Sequence, residues 1–264
     1  MDWNGFEPQI FVGFKNYIAL IMDSRVHRAI LNTFLFMILI IPIQIVSGLL
    51  IAAVLSSHNM IAKGTFRLLN FLPFLTTPVA IGIIFQILFD YQFGPINFLL
   101  TNAGIIKQPI DWLGKAWTAR MTISLITIWR YYGYTAVLFM AGITNINTEL
   151  YEAAIVDGAN STQRFFRITL PLLKPVTIFV VLTTMIGCFQ IFDEPFIMFN
   201  AGSGVVLKGG PDFSCLTGVW LLYDVGFGSA ELKFGYGSAI AYGLFVVIGL
   251  LAIVAHRLLR IGEK

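Results

Sequence analysis

Charged residues are scarce in this sequence. Asp, Glu, Lys and Arg make up 12% of the 264 residues, whereas 57% are hydrophobic. Soluble domains carry about 25% charged residues, so this chain has too little charge to cover a water-facing surface. Its apolar residues also fall in blocks of about 20, the length of helix that crosses a bilayer. The composition therefore argues against a water-soluble fold and predicts a membrane-embedded domain.

Residues that bind metals or nucleic acids are equally sparse. The two cysteines, Cys188 and Cys215, stand apart, and no Cys/His spacing is typical of a metal site. The net charge is only +3, and the basic residues form no continuous patch with interleaved aromatic residues. We therefore expect no metal site and no nucleic-acid partner.

Five apolar segments predict an all-α fold, a polytopic membrane helix bundle. They cover residues 29–55, 66–89, 118–143, 176–199 and 236–259. A helix satisfies each backbone N–H and C=O group within the segment, as lipid requires. Four prolines are expected to interrupt these helices: Pro42, Pro73, Pro78 and Pro195. Residues 90–117 and 200–235 are expected to form long connections.

The connection between the third and fourth segments, residues 147–175, is polar and predicts a helix–turn–helix. Gly158 is expected to end the first helix, since glycine commonly does so. Asn160 or Ser161 is expected to cap the second. Two acidic residues are expected in the first turn of the first helix, Glu149 and Glu152.

The same connection carries a spaced motif. It reads Glu152-Ala153-Ala154, three residues, Gly158, nine residues, and Ile168-Thr169-Leu170-Pro171. This pattern resembles the EAA signature of the membrane subunits of ATP-binding cassette (ABC) importers. The resemblance implies that the connection faces the cytoplasm as a coupling helix that docks on an ATPase. The ATPase-coupling residues that it implies are Glu152, Ala153, Ala154, Asp157, Gly158, Leu170 and Pro171.

Further stretches resemble the carbohydrate-uptake branch, the permeases of the maltose, glycerol-3-phosphate and multiple-sugar type. They lie at residues 11–17, 32–33, 71–73, 93–97, 112–113 and 189–193. The resemblance implies a multi-pass permease subunit of a binding-protein-dependent importer that carries a sugar across the cytoplasmic membrane of a prokaryote.

Orientation also follows from the resemblance, because the basic residues divide equally between the two sides and the positive-inside rule does not decide. With the EAA connection inside, the C-terminus is cytoplasmic and the N-terminus is outside. Residues 1–28 are then an extracytoplasmic segment, and residues 29–264 form the transmembrane domain.

The chain has no Gly-x-x-x-x-Gly-Lys-Ser/Thr sequence for cradling phosphates. We therefore expect a permease that is not itself an enzyme and holds no cofactor, with ATP and Mg²⁺ bound by a partner. The implied partners are ABC ATPase subunits, a second homologous permease that is identical or different, an extracytoplasmic sugar-binding protein, and membrane lipid.

Ionisable residues inside apolar segments point to a substrate path, because they are costly in lipid and face a partner or a water-filled cavity. The charged ones that lie more than three residues from a segment end are Arg130, Asp193 and Glu194. Together with Trp129, Tyr132 and Gln190 they offer the aromatic faces and polar groups that suit a sugar. A structural alternative stays open: Arg130 forms an internal pair, and the two carboxylates sit at a helix end.

Other functions also stay open. A secondary transporter or channel would leave the EAA motif unexplained and predicts internal repeats, which the sequence does not show. An ABC permease for a non-sugar solute shares the motif. A truncated, non-transporting subunit is a further alternative, because related permeases usually have another helix before residues 11–17. Either the protein has five spans or the sequence is a fragment with an internal Met as its start, and we expect the second.

Overall fold

The computed structural model describes residues 3, 5–6, 8–56, 62–200, 208–228 and 232–260, whose regular secondary structure is helical. The α-helices are α1 (Lys15–Met22), α2 (Ser24–Ser56), α3 (Lys63–Leu75), α4 (Pro78–Leu88), α5 (Pro95–Asn102), α6 (Ala116–Thr144), α7 (Thr148–Val156), α8 (Ser161–Arg164), α9 (Leu170–Leu172), α10 (Lys174–Phe189), α11 (Asp193–Asn200), α12 (Gly218–Gly226) and α13 (Phe234–Arg260). A π-helix, Phe165–Thr169, joins α8 to α9. The prediction of an all-α fold is confirmed.

Each of the five predicted apolar segments is helical, but two of them are broken. Helix α2, the α10–α11 pair and α13 are long and apolar enough to cross a membrane, and α3 and α4 add a fourth candidate if they form one broken span. Helix α6 has 29 residues, about 43 Å at a rise of about 1.5 Å per residue. Its arginines and hydroxyl side chains lower its hydropathy, and it is not among these candidate spans.

The four prolines act in two different ways. Pro42 and Pro73 lie inside the continuous helices α2 and α3. Pro78 instead opens α4, and Pro195 lies in the first turn of α11. Proline is well tolerated in a first turn, where its missing N–H removes no intrahelical hydrogen bond. The two breaks therefore fall just before these two prolines.

Asn97 organises the connection between α4 and α6, which the sequence predicts as a long connection containing two of the resembling stretches. Its side-chain amide donates to the carbonyl oxygens of Tyr91 (3.2 Å) and Ile110 (3.0 Å). Its Oδ1 accepts from the Trp112 indole N–H at 2.9 Å. Because α5 carries Asn97 into this position, one buried side chain joins the two resembling stretches, residues 93–97 and 112–113.

The chain divides into two compact units. The first unit comprises Met1–Leu39, Thr77–Ile126 and Met185–Ala255, and the second comprises Ile40–Thr76, Thr127–Thr184 and His256–Lys264. Large side chains fully buried in the first unit include Phe36, Ile81, Ile123, Phe189, Trp220, Leu221 and Ile240. The core cluster of the second unit comprises Ala52, Leu55, Phe139, Met140, Leu173 and Val180.

Large apolar side chains are also exposed in number, as expected for helices that face lipid. On α13, Phe245 is 73% exposed and Leu250 is 60% exposed. Contiguous apolar patches of this kind are rare on soluble monomers and mark membrane or protein contact. The exposed faces therefore agree with the shortage of charge in the composition.

Within the second unit, α3 and α6 approach closely at Gly133. A Cβ atom at this position would overlap the carbonyl oxygen of Asn70. Next to this contact, the ring of Phe74 stacks on Tyr134, with 4.9 Å between the centroids. The absence of a side chain at residue 133 thus lets the two helices pack and brings their aromatic rings together.

We predict that Gly133→Ala will lower the free energy of unfolding by about 1–3 kcal/mol, because the added methyl group must displace the backbone of α3. Thermal unfolding of the purified protein in detergent would measure the change. Gly249→Ala is the matched control, since nothing lies within 4 Å of a Cβ atom at that helical position. Equal melting temperatures for the two variants would contradict the close-packing role.

Candidate functional site

The first helix of the predicted helix–turn–helix is α7, and Asn147 caps it. The Oδ1 atom of Asn147 accepts from the backbone N–H of Glu149 at 3.0 Å. Because the cap places the start of the helix at Thr148, Glu149 lies in the first turn and Glu152 in the second. The prediction that both glutamates share the first turn is wrong for Glu152.

Gly158 ends α7 as predicted. Its φ is +78°, in the left-handed region that favours glycine. The Gly158 N–H donates to the carbonyl of Ile155 at 3.0 Å, and the Ala159 N–H donates to that of Ala154 at 2.8 Å. These two bonds form a Schellman motif, which satisfies the last carbonyls of the helix. Asp157, the residue before Gly158, is exposed.

The second helix begins with a capping box, and Asn160 rather than Ser161 is the cap. Asn160 Oδ1 accepts from the Gln163 N–H at 2.8 Å, and Gln163 Oε1 accepts from the Asn160 N–H at 2.9 Å. Helix α8 then widens into the π-helix, in which the Leu170 N–H donates to the carbonyl of Phe165. Pro171 follows at the start of α9 and has no N–H to donate.

A side-chain hydrogen bond ties the two halves of the motif together. The hydroxyl groups of Tyr151 on α7 and Thr169 in the π-helix are 2.8 Å apart. Thr169 is buried, and Leu173, four residues further on, belongs to the core cluster of the second unit. The helix–turn–helix is therefore attached to the core rather than hanging as a free loop.

The exposed residues at the end of α7 present acidic and apolar groups to solvent; we call them the coupling surface, after the role that the resemblance implies. It comprises the exposed residues Glu152, Ala153, Ile155, Val156 and Asp157. Val156 is 88% exposed. Of the other expected coupling residues, Gly158 and Pro171 are exposed, while Ala154 and Leu170 are half-buried. Exposed valine and isoleucine between two carboxylates are typical of a surface that a partner covers.

Three of the expected substrate-path residues lie on α6 in the second unit, namely Trp129, Arg130 and Tyr132. Trp129 is exposed, and Arg130 and Tyr132 are half-buried. The Arg130 guanidinium carbon lies 5.3 Å from the centroid of the Tyr131 ring, within the range of a cation–π interaction. Tyr131 is not among the expected substrate-path residues, and the contact is between neighbours in the sequence.

The other three surround the break between α10 and α11 in the first unit. Gln190 and Asp193 are exposed, and Glu194 is buried. The two carboxylates open α11, which is the helix-end placement offered as the structural alternative. Acidic residues are favoured there by the helix dipole. Gln190 and Asp193 nevertheless present polar side chains beside the break, as a binding role requires.

Sequence reasoning missed the residues that hold the first unit's polar network, Asn32, Arg120 and Thr217. Arg120 entered only the division of basic residues between the two sides, and Thr217 carried no signal. Asn32 fell in a family-like stretch without a role. Their contacts join parts of the chain up to 184 residues apart, so no local pattern reveals them.

Comparison with known proteins follows this geometry. A family model described as "Binding-protein-dependent transport system inner membrane component" matches residues 16–261. Among curated relatives, the lactose transport system permease protein LacF of Rhizobium radiobacter is 34% identical over 242 residues, covering 92% of this chain and 78% of that protein. The arabinooligosaccharides transport system permease protein AraP of Bacillus subtilis is 34% identical over 255 residues, covering 94% and 76%.

A solved structure shares the fold. It is a bacterial ABC transporter involved in the import of the acidic polysaccharide alginate, with a TM-score of 0.77, 23% identity and coverage of 97% of this chain and 86% of that one. The family model, the capped coupling motif and the apolar helices agree with one another. The chain belongs to the family of inner membrane components of binding-protein-dependent transport systems.

Proposed function

We propose that this chain is the permease subunit of an ABC importer that carries a saccharide across the cytoplasmic membrane of a prokaryote. The coupling surface on a capped helix–turn–helix is the observation that carries the ATP-driven part of the proposal. The sugar class is supported by the relatives named for lactose and for arabinooligosaccharides. The chain belongs to a transport family, so its own part is passage of the solute.

Docking of an ATPase subunit would use the coupling surface directly. Val156 and Ile155 supply apolar area for a cleft, and the Glu152 carboxylate is placed to meet a basic residue of the partner. Ala153 adds no bulk and permits close approach. Complementary charges at such an interface fix the register of the two partners.

Coupling also needs an element that moves as one body. The Schellman turn at Gly158, the capping box of Asn160 and the Tyr151–Thr169 hydrogen bond fix α7 to the π-helix. The π-helix runs through Leu170 and Pro171 into α10. A push on α7 is then transmitted to a membrane helix instead of being absorbed in a loop. Transport follows if the ATPase binds two conformations of the permease with different affinity.

Two groups of residues, one in each unit, would contact the solute. Trp129 and Tyr132 offer aromatic faces for the C–H faces of a sugar, and Arg130 offers N–H donors for its hydroxyl groups. Gln190, Asp193 and Glu194 offer amide and carboxylate groups at the α10–α11 break. In lipid such groups are retained where they serve a polar passage.

The remaining assembly follows from this role. ATP and Mg²⁺ would be bound by two partner ATPase subunits, and this chain would hold no cofactor. A second homologous permease would complete the passage, and an extracytoplasmic sugar-binding protein would deliver the substrate. The coupling surface then faces the cytoplasm, with residues 1–28 outside, residues 29–264 forming the transmembrane domain, and the C-terminus inside.

Uptake assays test the sugar class. Vesicles that contain the complete assembly and its binding protein should accumulate radiolabelled lactose or arabinotriose when ATP is supplied inside. Radiolabelled leucine serves as the non-sugar control. Accumulation of leucine without either sugar would overturn the saccharide proposal and leave the ABC permease role standing.

We predict that Glu152→Lys will weaken ATPase association at least about tenfold, because a favourable charge pair becomes a repulsive one. Glu152→Gln keeps the size of the side chain and should weaken it by a smaller factor. Surface plasmon resonance of the nanodisc-embedded permease with the purified ATPase measures both. Unchanged affinity in the lysine variant would place Glu152 outside the interface.

Replacing Gly158 with valine is expected to abolish ATP-driven uptake while sugar binding to the external protein stays intact. Valine is strained at φ +78°, whereas Gly158→Asn should retain part of the activity, since asparagine tolerates this conformation. Gly64→Val is the control, because it also adds a side chain in open space but has no positive φ. Full uptake by Gly158→Val would sink the coupling role.

Arg130→Ala should lower uptake of the transported sugar at least about tenfold without loss of assembly, because it removes donors from the passage. Native gel electrophoresis measures assembly, and the vesicle assay measures uptake. Arg67→Ala, an exposed arginine on α3, is the control. Failure of Arg130→Ala to assemble would favour the structural alternative.

A further inference from the structure

A polar network in the first unit joins α2 and α6 to residues 208–217. Asn32 is fully buried, and its Nδ2 donates to the carbonyl oxygens of Phe213 (2.7 Å) and Leu216 (2.9 Å). Its Oδ1 accepts from Arg120 Nη2 at 3.1 Å. Arg120 Nε also donates to the carbonyl of Ser214 at 3.0 Å. Two side chains thus satisfy three carbonyl groups of one short segment.

The geometry fixes the orientation of the Asn32 amide. Both of its N–H groups face carbonyl oxygens and its oxygen faces a guanidinium, so a flipped amide would place like groups together at every contact. Leucine has a similar shape but offers no donor. Asn32→Leu would therefore leave the buried Leu216 carbonyl and the part-buried Phe213 carbonyl without these partners, which is unfavourable for a folded segment.

The segment that the network holds has an uncommon backbone conformation. Asp212 and Phe213 have φ of +51° and +53°, although neither is glycine. Residues other than glycine rarely adopt this backbone conformation, and they remain in it where surrounding contacts hold them. The hydrogen bond from Asn32 to the Phe213 carbonyl is such a contact.

Thr217 connects this held segment to the break between α10 and α11. Its hydroxyl donates to the carbonyl oxygen of Ile191 and accepts from the N–H of Trp220 at 3.3 Å, where it caps α12. Ile191 lies between Gln190 and Asp193. The Ile191 carbonyl at the break therefore accepts a hydrogen bond from Thr217. Thr217 directly follows the segment whose carbonyl groups bind Asn32 and Arg120.

We propose that Asn32, Arg120 and Thr217 are positioning residues that set the conformation of the α10–α11 break and thereby the placement of Gln190 and Asp193. Their role in transport rests on the proposed function of those two side chains. The three residues themselves need not touch substrate. They act through the backbone of residues 208–217 and through the Ile191 carbonyl.

Two native thiols report on the two ends of this connection. Cys215 is fully buried within the held segment, and burial raises the pKa of its thiol to about 12. Maleimides react with the thiolate, so Cys215 should be labelled very slowly in the intact protein. Cys188 is also buried and lies two residues before Gln190.

The test is the rate of labelling by N-ethylmaleimide in the complete assembly in nanodiscs, read at each cysteine by peptide mass spectrometry. In the Asn32→Leu and Arg120→Gln variants, Cys215 should react with the maleimide about tenfold faster, because lost buried hydrogen bonds favour local opening. The same variants should also speed labelling of Cys188 several-fold, although the carbonyl groups that Asn32 and Arg120 bind lie in residues 213–216 and not at the break.

Thr217→Val should speed labelling of Cys188 by a similar factor, and Thr217→Ser, which keeps the hydroxyl, should restore the original rate. Thr33→Val is the matched control. It removes a buried hydroxyl next to Asn32 whose hydrogen bond, to the Ala29 carbonyl at 2.9 Å, stays within α2. It should change neither labelling rate.

Faster labelling at Cys215 with an unchanged rate at Cys188 in both Asn32→Leu and Arg120→Gln would overturn the proposal, since the network would then hold only its own segment. If Arg120→Gln does not assemble, Arg120→Lys, which keeps the charge but not both contacts, decides between these outcomes. No sugar is present in the assay. Loss of the substrate path would instead appear as normal uptake by Gln190→Ala, so the two failures are distinguishable.

Discussion

Helices that run through lipid must satisfy their backbone groups internally, and each interruption needs a local replacement. The break after α3 is closed by Thr76, whose hydroxyl donates to the Leu72 carbonyl at 3.0 Å. The break after α10 is closed by the Thr217 hydroxyl at Ile191. In the polar connection before α10, the chain forms a π-helix just before Pro171.

The helix–turn–helix of residues 147–175 also satisfies its helix ends with local hydrogen bonds. Its turn satisfies the end of α7 with two backbone hydrogen bonds, and the capping box satisfies the start of α8. None of the side chains on the coupling surface takes part in these hydrogen bonds. Glu152, Val156 and Asp157 are therefore exposed while backbone hydrogen bonds hold the turn that follows them.

Much of the coupling motif was predictable because its signals are local. Gly158 and Asn160 act on residues within four positions of themselves, and the structure places both as predicted. The exception is Glu152, because the helix start depends on the Asn147 cap, which the sequence analysis did not consider. Arg130, Asp193 and Glu194 were predicted to line a substrate path from the cost of charge in lipid, and that role stays a prediction. The breaks beside them were not predicted, because Pro78 and Pro195 could equally have kinked continuous helices.

The sequence by itself determined that this is an all-α membrane protein, because hydropathy and the shortage of charge leave the chain no other way to bury its backbone. Through the spacing of the EAA motif it also pointed to an ABC permease. Only the tertiary structure decided that Asn32, Arg120 and Thr217 form one network and that Gly133 carries a helix contact. Those contacts join residues far apart in the chain, and their energy depends on distances that no linear pattern encodes.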